Sequence, residues 1–299
     1  MKLKKKLTIQ VRAKTFYFAS FFLPKKIKND IENLYIFCRY LDDIGDEKNL
    51  KKKQSIQILN KIKKELSRRK SKNLVIFNFI NLQNKYKIEN KYAFHLIEGI
   101  KSDLKRTVEF KDENDLTFYC YCVAGTVGYM FCKIININDK KLLLRAIQLG
   151  IGMQRTNISR DIKEDLELNR IYLPKIIRKY KGKKNNILKN QFLKESISND
   201  LHKFLNKTDS YYLNSWEGIR KLPLRYSLSV GIAAELYQRI GIKIKKRNCN
   251  IWESRVHLKL IEKIFYTFFA IKKLIFDNKR IDKKIDIECN FFLKKFKIL

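Results

Sequence analysis

The sequence predicts an almost wholly α-helical protein, on three observations. Glycine and proline are sparse, at 10 and 3 of 299 residues, so the residues that usually punctuate short strands are missing. No series of alternating strand-like runs bounded by turn residues is present. Several long segments instead repeat their apolar residues with a period near 3.6. With 45% hydrophobic residues, the chain can bury one large core or two modest ones.

The first helix is expected over 25–44, behind Pro24, whose fixed φ suits a helix start. Its apolar stripe is Ile31, Leu34, Cys38 and Leu41. Further helices are expected over 53–68, 72–84, 90–106 and 115–135, then a long one over 139–167. Beyond it come 187–206, 208–221, 224–246 and 257–276. The stretch KYKGKKNN at 179–186 is the best loop candidate, and helical patterning of the same character resumes after it. One domain over 1–276 is therefore expected, followed by a loosely attached basic tail at 277–299.

The formal net charge is +36, from 66 Lys and Arg against 30 Asp and Glu. Such a balance invites a nucleic-acid reading. The lysines, however, run from Lys2 to Lys297 without a single basic stripe, and abundant Ile and Asn accompany them. That composition is what an A+T-rich coding genome produces, so no nucleic-acid partner is expected. The same surface should attract anionic headgroups and diphosphates. Six cysteines fall mostly in apolar helical stretches and are expected as core thiols of a reducing compartment. Neither they nor the isolated His95, His202 and His257 have the spacing of a zinc site or a triad. A basic N-terminus without an apolar run, and no stretch near 18 apolar residues, predict a cytoplasmic protein. The run IFYTFFAIKKLIF at 264–276 is too short to span a bilayer; it reads as a buried core helix or as an interfacial one.

Two acidic patterns stand out. Asn157, Asp161 and Asp165 recur every four residues in NISRDIKED, and Asp42 and Asp46 do so in DDIGDE. On a helix, positions four apart share a face. Tyr35, Arg39, Asp42 and Asp46 follow steps of 4, 3 and 4, so the acidic pair continues close to the inward face of the first helix. Stacked carboxylates repel, and inward ones are costly unless they meet a cation. Two such clusters facing each other would form a cage of oxygen ligands suited to Mg²⁺.

Five segments in order carry a resemblance: KTFYFASFFLP at 14–24, LYIFCRYLDDIGDE at 34–47, YCYCVAGTVGYM at 119–130, MQRTNISRDIKEDLELNRIYLP at 153–174 and LYQRIGIKIKKRNCNIWESRV at 236–256. Together, from about residue 12 to about 275, they resemble the squalene and phytoene synthase family. The resemblance implies one all-α isoprenoid synthase domain with helices around a central cavity. It implies a metal site of Asp42, Asp46, Asn157, Asp161 and Asp165 for Mg²⁺, with Mn²⁺ as an alternative. It also implies diphosphate contacts from Arg39, Arg160 and Arg255, and a closing segment at Lys14 and Thr15. Tyr35, Tyr119 and Tyr237 match cavity tyrosines, while Phe16, Val123, Gly128 and Gln154 match its walls. The four aspartates and Tyr119 are the implied catalytic set, with the ring face of Tyr119 rather than its hydroxyl as the working part. Thr15 replaces a commoner Ser and keeps the hydroxyl. Arg155 stands where an apolar residue is commoner, and turned inward it would shorten or polarise the cavity.

The implied reaction is head-to-head condensation of two prenyl diphosphates. With no nicotinamide-binding loop and no C-terminal anchor, phytoene from two geranylgeranyl diphosphates is the first expectation. Squalene or presqualene diphosphate from farnesyl diphosphate is the alternative, with NADPH needed only for squalene. A noncatalytic assembly factor of the same fold is the reading from another class, disfavoured because all five ligand positions are present. A greasy product also implies peripheral contact with an anionic membrane.

Overall fold

The computed structural model describes residues 18–47, 50–105, 108–168, 170–174, 185–276 and 281–299. Helix α1 (Lys25–Asp46) starts directly after Pro24 and buries Ile31, Leu34, Phe37 and Leu41. Then follow α2 (Lys52–Ser67), α3 (Leu74–Tyr86) and α4 (Asn90–Asp103). Strand β1 (Val108–Glu109) leads into α5 (Glu113–Cys120), a π-helical turn at Tyr121–Gly125, and α6 (Thr126–Ile134). Next come α7 (Lys140–Arg160), the short α8 (Ile162–Glu167) and strand β2 (Arg170–Ile171), which pairs in parallel with β1. Helices α9 (Asn185–Lys189), α10 (Gln191–Ile219), α11 (Leu224–Lys246), α12 (Leu260–Phe276) and α13 (Lys283–Lys295) complete the chain.

Short polar side chains set several helix starts by accepting from orphan backbone N–H groups. Asn73 does so for α3, Asp112 for α5, Asp139 for α7 and Asn190 for α10. Helix α7 is the centre of the fold, packed against α10, α6, α11 and the π turn. Glycines permit the closest of these approaches. A Cβ on Gly128 would stand 2.4 Å from the Ala146 carbonyl oxygen, and one on Gly150 would stand 2.4 Å from that of Ala124. Backbone cannot yield at such distances, so only glycine lets the two segments touch.

The structure departs from the sequence reading in four places. The helix expected over 115–135 is widened by the π turn, a feature often found at functional sites. The helix expected over 139–167 breaks at Asp161, whose φ of −104° and ψ of 12° lie in the sparsely allowed bridge region. The backbone bonds Asp161 N–H to Asn157 O and Asp165 N–H to Asp161 O persist at 2.9 and 2.8 Å, so the break is a bend rather than a gap. By contrast, the break expected near 207 is absent, because α10 is continuous. Thr208, which reads locally as a turn residue, donates its hydroxyl back to Phe204 O at 2.8 Å and accepts from Arg155 Nε at 3.1 Å.

The fourth departure is the C-terminal tail. Residues 283–295 form α13, which buries Ile285, Cys289, Phe292 and Leu293. Its Asp286 pairs with the buried Arg145 of α7, accepting at 2.9 Å from Nη2 and also from Nη1. Arg145 is further held by Glu217 at 2.8 Å and Gln148 at 2.9 Å. A core guanidinium needs such partners, and the tail supplies one of them. All six cysteines are free thiols, and five are buried.

Candidate active site

A cavity of about 350 Å³ lies among the helices. Its polar lining includes Asp42, Gln154, Asn157, Tyr35 and Tyr237; the rest of its wall is mostly apolar, with Leu34, Val123, Phe131, Met153 and Ile219 among the lining residues. Residues 150, 153, 154 and 157 of α7 all face it, the 3- and 4-residue steps of one helix face. Of the sequence-predicted residues, Asp42, Tyr35, Val123, Gly128, Gln154, Asn157 and Tyr237 line this cavity. Arg155 points away from it. Its guanidinium lies 3.8 Å from the Phe204 ring centroid and pairs with Glu113 at 2.5 Å, so it neither shortens nor polarises the cavity. Lys14, Thr15 and Phe16 lie outside the described residues.

The two acidic patterns each place one residue, Asp42 and Asn157, in the cavity lining, and both patterns lie near Asp103. Asp42 feels the charges of Asp46 and Asp103, and Asp165 feels those of Asp161 and Asp103. Burial pushes the Asp42 carboxyl up to about 7, against the pull of Arg39 and with the help of Asp46 and Asp103. Burial pushes Asp165 up to about 8, reinforced by Asp161. Asp161 goes the other way. Burial would raise it, but hydrogen bonds from Arg160 and Arg255 hold it below the usual carboxylate range. Both arginines grip it bidentately, Arg160 at 2.7 and 2.6 Å and Arg255 at 2.8 and 3.0 Å, the favoured geometry for this pair. On the other cluster, Arg170 reaches Asp46 at 3.3 Å, and Arg39 donates to Asp43 at 2.5 Å.

In this arrangement no three carboxylate, imidazole or thiol groups among the described residues stand close enough to hold a metal ion. The donor set nevertheless fits a hard cation. Every candidate ligand is an oxygen, and Asn157 Oδ1 is buried with no hydrogen-bond partner among the described residues. A buried acceptor left without a donor is uncommon and is what a cation ligand needs to be. Arg39 Nε is likewise buried without an acceptor, which leaves a donor for an anion.

Arg170, Asp103 and Tyr172 escaped the sequence reading. Arg170 is drawn to Asp46 only by the fold. Asp103 ends α4 and accepts from two tyrosine hydroxyls, those of Tyr119 and Tyr172, each at 2.9 Å. Tyr119 thus sits beside the acidic centre, bound to Asp103, and is not among the residues lining the cavity. The segment IKSDLK around Asp103 looks like a solvated helix end, and no local signal marks it.

The raised carboxyls predict a pH dependence. A carboxyl with a folded pKa above its unfolded value favours the fold fully when protonated, below about pH 4. That contribution is lost as pH rises through about 7 for Asp42 and about 8 for Asp165. Asp42→Asn and Asp165→Asn should each raise the Tm of the metal-free protein by roughly a few degrees at pH 8 and barely change it at pH 4. Thermal unfolding in a chelator at both pH values is the check; a lowered Tm at pH 8 contradicts it.

A sequence profile described as squalene/phytoene synthase matches residues 9–262. The chain is 28% identical over 268 residues to a 15-cis-phytoene synthase of Pantoea ananas, covering 86% of each chain. It is 29% identical over 266 residues to one of Enterobacter agglomerans, covering 86% of this chain and 90% of that one. Among solved structures, a dehydrosqualene synthase superposes with a TM-score of 0.77 at 22% identity, covering 91% of this chain and 95% of that chain. A squalene synthase from Alicyclobacillus acidocaldarius gives 0.71 at 18%, covering 83% and 94%. Those two show the same all-α fold. With the profile spanning most of its length, the chain belongs to the squalene/phytoene synthase family of prenyltransferases.

Proposed function

We propose that this protein condenses two geranylgeranyl diphosphates head to head, through a cyclopropylcarbinyl diphosphate, to phytoene. The observation that carries this reading is an apolar cavity headed by Asp42 and Asn157: a place for a hydrocarbon tail that ends where a cation and a diphosphate would sit. The C20 substrate and phytoene product are supported by the bacterial relatives described as phytoene synthases. Farnesyl diphosphate, giving squalene or presqualene diphosphate, is the alternative substrate.

Asp42 and Asp46 on one side, and Asn157, Asp161 and Asp165 on the other, would hold Mg²⁺. When bound, it would supply positive charge that stabilises the departing diphosphate. Arg160 and Arg255, now on Asp161, and Arg39, with its open Nε, are the donors for diphosphate oxygens. After the carbon–oxygen bond of the first substrate breaks, the tyrosine and apolar walls keep water from the allylic cation. Aromatic faces can also stabilise it directly. The double bond of the second substrate attacks that cation, and loss of a proton closes the cyclopropane. A second ionisation opens the ring. Loss of another proton then gives phytoene, whereas hydride from NADPH would give squalene.

The purified protein should convert geranylgeranyl diphosphate to phytoene with Mg²⁺ and without NADPH. Asp42→Asn and Asp161→Asn should remain helical and form no product. Hydrocarbon analysis by mass spectrometry decides. Turnover confined to farnesyl diphosphate contradicts the C20 assignment, and full activity of either variant contradicts the role of its cluster.

The membrane belongs to the same reading. Helix α12 buries only Lys263 and Ala270, so it is not the core helix its composition allows. Ile261 is 81% exposed, Phe268 66% and Phe276 74%. No helix among the described residues is long and apolar enough to cross a bilayer. Isolated exposed apolar side chains are ordinary, but a contiguous face marks an interaction surface. The net charge of +36 and the need to pass a hydrocarbon onward make an anionic bilayer the occupant we assign. Co-sedimentation should show salt-reversible binding to phosphatidylserine-containing vesicles, weakened by Phe268→Ser with Phe269→Ser. Equal behaviour of the folded variant, or no binding at low salt, contradicts this surface.

A further inference from the structure

Asp103 belongs to neither aspartate motif, yet it is the point at which three parts of the site are joined. Its Oδ2 accepts from Tyr119 Oη of α5 and its Oδ1 from Tyr172 Oη, just beyond β2, each at 2.9 Å. One carboxylate thus takes one phenol on each oxygen. The two rings stack with centroids 5.2 Å apart, and Phe110 packs against both, at 5.0 Å from Tyr119 and 5.9 Å from Tyr172. Both tyrosines are buried. Neither can swing its side chain about χ1 without giving up its bond to Asp103, and the stacking holds the ring planes.

The same carboxylate faces the charged groups of the site. Asp46 and Arg170 act on it, and it acts in turn on Asp42 and Asp165. Arg170 lies two residues before Tyr172, and its guanidinium touches Asp46 at 3.3 Å. Holding the Tyr172 hydroxyl therefore also holds the backbone that aims Arg170 at the first aspartate pair. Hydrogen bonds to a carboxylate polarise the donors that make them, so the two phenol rings gain electron density on the faces they present.

We propose that Asp103 is a positioning residue of the prenyl transfer, acting through the Tyr119 and Tyr172 hydroxyls. It locks both rings and the Arg170–Tyr172 segment into one geometry beside the aspartate clusters. The cation formed on ionisation then meets a fixed field from the aspartates, Arg170 and the two phenols behind them instead of a mobile one. The inference rests on the prenyltransferase reading above. A misplacement of about 1 Å at such a site costs on the order of a hundredfold in rate, far more than it costs in substrate affinity.

The test is a double-mutant cycle on the full chain with Mg²⁺ and the prenyl diphosphate that the wild type turns over. The variants are Asp103→Asn, the pair Tyr119→Phe with Tyr172→Phe, and the three changes together. Measured for each are kcat, KM, and the split between hydrocarbon and the prenyl alcohol formed when water captures the cation. Asp103→Asn should lower kcat about ten- to a hundredfold, with KM changed less than about threefold and a larger alcohol fraction. In the Phe/Phe background the same change should add little. Full additivity of the losses, or an unchanged alcohol fraction in Asp103→Asn, overturns the proposal. If Asp103→Asn does not fold, the Phe/Phe pair must show the alcohol increase by itself, and its absence there overturns the proposal equally. A wild type that consumes no prenyl diphosphate overturns the functional reading, and this role with it. Wild-type turnover with additive losses overturns this role alone.

Discussion

Carboxylates gathered at the mouth of an apolar cavity repel one another and lose hydration, and the surrounding architecture answers that one constraint. Helix α1 delivers Asp42 and Asp46, and the bend between α7 and α8 delivers Asn157, Asp161 and Asp165. Arginine supplies the compensation seen here. Asp161 is held by Arg160 and Arg255, and Asp46 by Arg170. Asp42 and Asp165 make no side-chain hydrogen bond among the described residues and are pushed up to about 7 and about 8. The uneven compensation is what a site awaiting a cation needs: some charge is held by groups that can swap to an anion, and some is left exposed to its neighbours.

The apolar part of the cavity depends on the same helices being close. Gly128 and Gly150 bring the α5–α6 segment onto α7 at backbone contact, and the π turn between them sets Val123 and Ala124 into the wall. Elsewhere in the lining lies Arg145, a charge that would spoil a hydrocarbon pocket if left alone. Glu217 from α10 and Asp286 from α13 neutralise it. Thus α13, remote in sequence from both aspartate motifs, helps neutralise the one arginine in the cavity lining among the described residues.

Much of this is legible from residue patterns. The stripe of α1 and Pro24 predict its start at residue 25, and the four-residue recurrence of acids marks both acidic clusters. What escapes detection has a common cause. Arg155 follows Gln154 and precedes Asn157 by two, and both of those line the cavity, yet one residue along a helix is a turn of about 100°. That turn sends it to Glu113 and Phe204 instead. Asp103 and Arg170 acquire meaning only from partners 16 to 124 positions away. Thr208 and its neighbours Asp209 and Ser210 read as a helix break, but the Thr208 hydroxyl bonds within the helix. Helix α13 mixes buried apolar residues with the exposed Ile287 and Phe291, and its pairing with Arg145 across 141 positions has no local signal.

The central claim is that the two aspartate clusters, now spanned by arginines, close around cations when a diphosphate enters. Anomalous diffraction from crystals grown with Mn²⁺ and a non-cleavable thio-analogue of the prenyl diphosphate tests it directly. Manganese peaks bonded to carboxylate oxygens of both clusters are expected, with Arg160 and Arg255 moved from Asp161 to the diphosphate. A diphosphate bound with no manganese at either cluster, or both arginines still closed on Asp161, would contradict it.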